Sequence, residues 1–193
     1  IEWEKDGDYY KHTNNYYTNL YYYFLTEDKE QVKVQEIESA ANNGTALTTF
    51  DEHALYENEI VCVGQTGRLY MGEDLVNNNA ITINAPGVDG DKITLYVAVG
   101  ANSTSSCKIS TTCNGTALTP NISVGASDSY SFLKLGNNYY TIDAKENLEL
   151  TFKTITSGSI KNFYLDYIRL FYPRYLAIDS APLHFRRNDV EAG

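Results

Sequence analysis

The apolar positions of this chain recur with the period of strands. In KITLYVAVGA (92–101), Ile93, Leu95, Val97 and Val99 fall on one face and smaller or polar residues on the other. That alternation is the mark of a half-buried strand. AITINA (80–85), SCKISTTC (106–113), ALTPNISV (117–124), YSFLKL (130–135), YYTIDA (139–144), LELTFKTI (148–155) and FYLDYIRLFY (163–172) continue the series. Between them lie PGVDGD, NG (114–115), GASDS, GNN, KEN and TSGSIKN. These are residues that accept positive φ or hydrogen-bond their own backbone. Short strands with a turn roughly every 8–12 residues, and no amphipathic helix, predict an all-β antiparallel sandwich. LYVAVGA and LDYIRLFY are the most apolar runs and are expected at its centre. Tyr164, Asp166 and Arg169 depart from plain alternation in the last strand. A lone strand acid of this kind faces solvent or pairs with a neighbouring Arg.

The first eighty residues are less regular. LYYYFLT (20–26) and QVKVQEI (31–37) alternate around the charged EDKE and read as a hairpin. ESAANNGTALTTFDE (38–52) is small and polar and reads as a connection. ALYENEIVCVGQTGRLYMGEDL (54–75) opens as a helical turn or an edge strand, and Gly64, Gly67 and Gly72 break any long helix. The stretch YYKHTNNYYTNLYYYFLTED (9–28) holds seven Tyr and three Asn, too polar for a core strand and too aromatic for a linker.

Composition narrows the function. Seventeen Tyr against seven Phe and one Trp favour half-exposed sheets and contact surfaces, because Tyr buries a ring while its hydroxyl stays wet. A net charge of −10 with no basic run argues against nucleic acid and against an anionic membrane surface. No apolar run approaches a membrane span. Cys62, Cys107 and Cys113 match no metal spacing. Cys107 and Cys113, six apart on one extended strand, have Cα atoms roughly 20 Å apart and are too distant to bridge. The three His are His12, His53 and His184, and neither a zinc set nor a marked carboxylate pair emerges. Cys62 lies nine residues from His53, a spacing that leaves a Cys–His dyad open. VDGDK (88–92) lacks the ligand pattern of a calcium loop and reads as a turn before a strand. The residues therefore describe an acidic, Tyr-rich β-sandwich without a self-contained active site or cofactor. The start at Ile1, without an initiator Met, reads as a piece of a longer protein.

Several stretches, in order, resemble the β-rich region ahead of the catalytic domain in the gingipain-like cysteine peptidases of Bacteroidetes, among which the type IX secretion system sortase is the nearest likeness. They are HTNNYYTNLYYYFLT (12–26), YENEIVCVGQTGRLYMGEDL (56–75), LYVAVGANSTSSCKISTTCNG (95–115), FYLDYIRLFYPRYL (163–176) and LHFRRND (183–189). In the second, Gly67, Arg68, Gly72 and Glu73 match the family's pattern, while Leu69, Tyr70 and Met71 replace its Glu-Trp-Phe. In the fourth, Asp166 and Tyr167 match, and Phe163-Tyr164 stand where Trp is usual.

The resemblance implies a Tyr-rich tail of a preceding β domain over 1–45, a jelly-roll-like sandwich over 46–176, and the start of a following segment over 177–193. It implies an exported parent at the outer membrane surface or beyond, with its catalytic His and Cys downstream and no catalytic residue here. Expected partners are the neighbouring domains of the parent, and protein cargo or glycan. Tyr16, Tyr17, Tyr21, Tyr22 and Tyr23 are then candidates for interdomain packing, for partner contact or for sugar stacking. A carbohydrate-binding or adhesin-type jelly roll is the alternative, since LDYIRL (165–170) also suits the last strand of such a module. Ser180, in Asp179-Ser180-Ala181, resembles an O-glycosylation site of exported Bacteroidetes proteins.

Overall fold

The computed structural model describes residues 2–14, 46–65 and 67–177, with single positions at 20, 22, 24, 27, 36, 38, 185 and 187. The chain divides into two compact units, 1–47 and 48–193. In the first, β1 (Glu2–Asp6) and β2 (Tyr9–Thr13) form an antiparallel hairpin. Gly7, at φ +64°, makes the tight turn, and Trp3 and His12 meet across the strands at 5.7 Å. The sequence pattern had assigned no hairpin here. The expected hairpin over 20–37 lies outside the described residues, apart from isolated positions.

The second unit holds β3 (Thr49–Glu57), β4 (Val61–Cys62), β5 (Tyr70–Met71), β6 (Ala80–Asn84), β7 (Lys92–Ser103), β8 (Cys107–Cys113), β9 (Thr116–Val124), β10 (Lys134–Asp143), β11 (Asn147–Ile155) and β12 (Ile160–Tyr175). Two antiparallel four-stranded sheets form, in the orders β3-β12-β7-β10 and β6-β11-β8-β9, and β4 pairs β5 in a short ribbon. Numbered by chain order among these eight strands, the front sheet runs first, eighth, third, sixth. The back sheet runs second, seventh, fourth, fifth. That is the strand order of a jelly roll, so the expected antiparallel sandwich holds.

Alternation builds the core. Ile93, Leu95, Val97, Val99 and Ala101 of β7, Leu165, Ile168 and Leu170 of β12, and Ile109, Ile122, Leu148, Leu150 and Phe152 of the back sheet are buried in one cluster. β7 and β12, the two most apolar runs, are the inner strands of the front sheet. Cys107 and Cys113 stand at the two ends of one strand, buried and unbridged. Burial pushes both thiols up in pKa. Asp89 of the VDGDK turn donates its amide to the Pro173 carbonyl at 2.8 Å, tying the turn to β12.

Two expectations are corrected, and one open alternative is decided. Residues 49–52 begin β3 and are not part of a connection, because Thr49 to Glu52 pair with Tyr175 to Tyr172. Of the two readings of the 54–75 stretch, the edge strand holds for its start: it is the rest of β3, at the edge of its sheet, followed by the β4–β5 ribbon around a short 3-10 turn at Val63–Gln65. YSFLKL, GNN and YYTIDA are not strand, turn and strand. Residues 134–143 are one strand in unbroken register with β7, Gly136 opposite Val99. Gly136 is there for space: a Cβ on it would stand 2.5 Å from the Ser123 carbonyl oxygen of β9. The two sheets approach closely at this point, and the glycine permits it.

Gly136→Ala is therefore expected to cost about 1–3 kcal/mol by overpacking against a backbone atom. Gly125→Ala, with nothing within 4 Å of its Cβ, should change stability by less than about 0.5 kcal/mol. Urea unfolding of the two variants would check this, and equal midpoints would remove the packing role.

Candidate functional site

The outer face of the front sheet carries the chain's densest aromatic cluster among the described residues. On β7 the core takes odd-numbered residues, so Thr94, Tyr96, Ala98 and Gly100 point outward. Register sets Tyr139 and Arg169 on either side of Tyr96, and Tyr167 beside Ala98. The Tyr96 and Tyr139 rings meet edge to face at 4.6 Å, and the Tyr96 and Tyr167 rings lie near parallel at 5.7 Å. Arg169 lies across the last two, its Cζ 4.9 Å from the Tyr96 centroid and 4.8 Å from that of Tyr167. Its Nη2 donates to the Tyr167 hydroxyl at 3.1 Å. Only 6% of Arg169 is exposed, so a cation is held on the outside of a sheet by ring faces and a phenol. Burial pushes the Tyr167 hydroxyl far above the ordinary tyrosine range, and the Arg169 cation pulls it the other way.

A second, smaller apolar layer lies beside this cluster. A Cβ on Gly100 would overlap Leu133 Cδ2 and Met71 Cε, at 2.2 and 2.7 Å. Met71 and Leu133 are buried yet stand outside the main cluster. The β4–β5 ribbon and the loop before β10 are thus anchored on the outer face. That loop is stapled by Asp128, which accepts from Tyr130 N at 2.9 Å and from Lys134 Nζ at 3.0 Å. From it, and along β10, an apolar strip faces solvent: Tyr130 (95% exposed), Phe132 (67%), Leu135 (53%) and Tyr139 (41%).

The motif residues expected from sequence divide into two groups. Asp166 and Tyr167 lie on β12, and Gly72 and Glu73 lie alongside it. The β12–β7 register slips between Leu165 and Tyr167, which leaves Asp166 as the extra residue of a bulge. There the 72–75 segment takes over from β3 as the neighbour of β12. Gly72 N donates to the Leu165 carbonyl at 2.7 Å, and Leu165 N to the Glu73 carbonyl at 3.0 Å. A Cβ on Gly72 would come within 3.0 Å of the Asn58 carbonyl oxygen and 3.2 Å of that of Leu165. Glu73 Oε1 accepts from the Tyr56 hydroxyl at 2.5 Å and from Asn58 Nδ2 at 2.6 Å, which knots the segment to the end of β3.

Gly67 and Arg68 lie in the β4–β5 loop, with Gly67 at φ +68° and Arg68 exposed. Gly67 donates its amide to Cys62 Sγ at 3.1 Å, and His53 sits on β3 opposite Phe171. Tyr22 is 76% exposed, and Tyr16, Tyr17, Tyr21 and Tyr23 lie outside the described residues. Tyr96, Tyr139 and Arg169 were not singled out as site residues from sequence, nor were Tyr56 and Asn58. The outward parity of Tyr96 in KITLYVAVGA was the available signal for the first of them.

Fold and surface together define an all-β jelly-roll module with an aromatic face. Among solved structures it is similar to the chain of dimeric latent PorU from Porphyromonas gingivalis, with a TM-score of 0.58 and 21% identity over 76% of this chain and 15% of that one. It is also similar to a native family 35 carbohydrate-binding module from Clostridium thermocellum, at 16% identity over 63% of this chain and 90% of that one. The TM-score there, 0.38, is too low to carry an argument. No family model and no curated protein matches the chain. The likeness to PorU establishes the fold, and the chain spans a small part of the PorU length.

Two outcomes follow from this geometry. Arg169→Ala is expected to cost about 2–3 kcal/mol, since it removes a desolvated cation–π contact and a charged hydrogen bond. Arg169→Lys should recover less than half of that, because an ammonium cannot lie flat across two rings. Urea unfolding reads both, and a fully stable lysine variant would refute the stacking role. The second concerns pH. Burial, then the bond and charge of Glu73, raise the Tyr56 hydroxyl from 10.0 to about 12. The folded state holds this proton longer than the unfolded state. The stabilisation is therefore complete below about pH 10 and is lost as pH rises towards about 12. Tyr56→Phe should flatten the fall of stability with pH in that window, and an unchanged slope would count against the knot.

Proposed function

We propose that this chain is a non-catalytic accessory β-sandwich domain of an exported gingipain-like cysteine peptidase, and that it positions the catalytic domain or its protein substrate. The observation that carries the reading is the likeness to the PorU chain over 76% of this one, at a TM-score of 0.58, joined to the five stretches that resemble the peptidase family in the same order. The docking face is the outer side of the front sheet. There Tyr130, Phe132, Leu135 and Tyr139 offer apolar area that another domain would cover. Tyrosine and phenylalanine on a stapled loop lose little conformational entropy when covered, which suits a packing contact. Tyr16, Tyr17, Tyr21, Tyr22 and Tyr23 belong to the same reading as contacts to a neighbouring domain. Catalytic His and Cys, on this reading, belong to a domain downstream, and the parent works at the outer membrane surface or beyond it.

A carbohydrate-binding or adhesin-type module is the second reading. Its support is Tyr139, a half-exposed ring on a sheet face that a sugar could stack on.

The parent reading frame beyond Gly193 separates the two. The expected finding is an α/β domain with a His-Gly pair and a Cys at a strand end. A stop codon, or β modules alone, would remove the peptidase reading and leave glycan-array binding of the isolated chain as the test of the second. In the intact parent, Tyr130 and Tyr139 should resist iodination that they accept in the isolated chain. Equal labelling in both would overturn the docking face.

A further inference from the structure

After β12 the chain stays in register with the first strand of the sandwich for one more step, with Leu176 N donating to the Thr48 carbonyl at 2.8 Å. Phe185 and Arg187 then lie against the start of that same strand. Arg187 Nη1 donates to the Thr49 carbonyl at 3.2 Å and to Thr49 Oγ1 at 3.0 Å. The Phe185 ring meets Phe50 edge to face at 6.4 Å. Phe50 is almost fully buried and is itself fixed from a second side, with Arg174 Cζ 5.9 Å from its ring centroid. Arg174 in turn pairs with Glu52 at 2.7 Å. Two residues of the outgoing chain, two apart in sequence, thus meet two consecutive residues of an ordered strand end.

We infer that Phe185 and Arg187 form a strap that returns the chain leaving β12 to the first strand of the sandwich. The chemistry suits the place. β3 is an edge strand, and an edge-strand end leaves backbone oxygens in need of donors. A guanidinium supplies them without adding a strand that could slip in register. Phe185, itself 56% exposed, sets its ring edge to face against a buried one, which makes the contact directional. The consequence is mechanical. Whatever follows Arg187 starts from a point held on β3, and does not swing from the end of β12. A module attached there inherits a restricted orientation. The strap does not depend on the peptidase reading; it concerns any continuation of the chain.

Trypsin is the probe, since Arg187 is its substrate residue and the strap engages the guanidinium that the protease must bind. Cleavage of the 193-residue chain at Arg187 under native conditions is followed by mass spectrometry, with thermal melting alongside. Phe185→Ala should speed that cleavage roughly five-fold by raising the population of the released form. Arg187→Ala, which has lost the site, should lower Tm by about 2–4 °C. Cleavage at the same rate in Phe185→Ala and the wild type would overturn the strap. So would a melt of Arg187→Ala superimposed on the wild type. If a chain ending at Ala177 melts lower while neither point variant does, other contacts hold the segment and the assignment of these two residues fails.

Discussion

The bulge at Asp166 is the constraint on which the front sheet depends. β12 is sixteen residues long, and its two halves bury opposite parities: Phe163 and Leu165 before the bulge, Ile168, Leu170 and Tyr172 after it. Were Asp166 an ordinary paired residue of the strand, Leu165 facing inward would bring Tyr167 and Arg169 inward as well. A cation would then enter the core and Ile168 and Leu170 would face water, a reversal worth several kcal/mol against the fold. The slip at Asp166 places Tyr167 and Arg169 outside, next to Tyr96, and in doing so builds the aromatic face. The core and the aromatic face of the module therefore share one backbone irregularity.

That irregularity has to be held, and the 58–75 excursion holds it. β3 serves as partner to β12 only from Tyr167 onward. Upstream of the bulge its place is taken by Gly72 and Glu73, so the chain leaves the sheet at Asn58 and returns beside the slip. The return is tight at 72, where the Asn58 and Leu165 carbonyl oxygens would stand 3.0 and 3.2 Å from a Cβ, and glycine leaves them room. It also uses a carboxylate at 73 to gather Tyr56 and Asn58. The same excursion delivers Met71 onto Gly100, which begins the outer apolar layer. A stretch that looks like an irregular loop is in this sense a bracket for the longest strand.

Much of this was legible in the residues, and the failures have physical causes. The strand run from 80 onward could be read because one face of each strand is core and the other solvent, which is where period-two patterning is clean. The phase change in FYLDYIRLFY is also visible: apolar residues stand at 163 and 165, then at 168, 170 and 172. Asp166 was noticed as an anomaly but not read as a bulge. Gly136-Asn137-Asn138 looked like a turn because glycine and asparagine accept positive φ. The glycine instead answers to a carbonyl on β9, a tertiary neighbour that local sequence does not reveal. Tyr96, Tyr139 and Arg169 were missed as a group for a related reason. They are far apart in the chain, and strand order alone brings them side by side.

The fate of Arg169 also bears on what the aromatic face can recognise. Stacking sites for sugars combine a ring with polar groups that converge on hydroxyls. Here the residue that brings a guanidinium to the rings, Arg169, is 6% exposed and already committed to Tyr96 and Tyr167. It stiffens the platform more than it reaches for a ligand. What remains outward is Tyr139 with the Tyr130, Phe132 and Leu135 strip, a surface whose free energy lies in covered apolar area. Such a strip is satisfied by another protein surface more readily than by a pyranose ring. The chain's charge of −10 also works against pairing with a second copy of itself, and this favours a partner of different composition. On the proposed reading, the internal chemistry of the face is the reason for preferring a domain that packs against its neighbours to one that holds a small ligand.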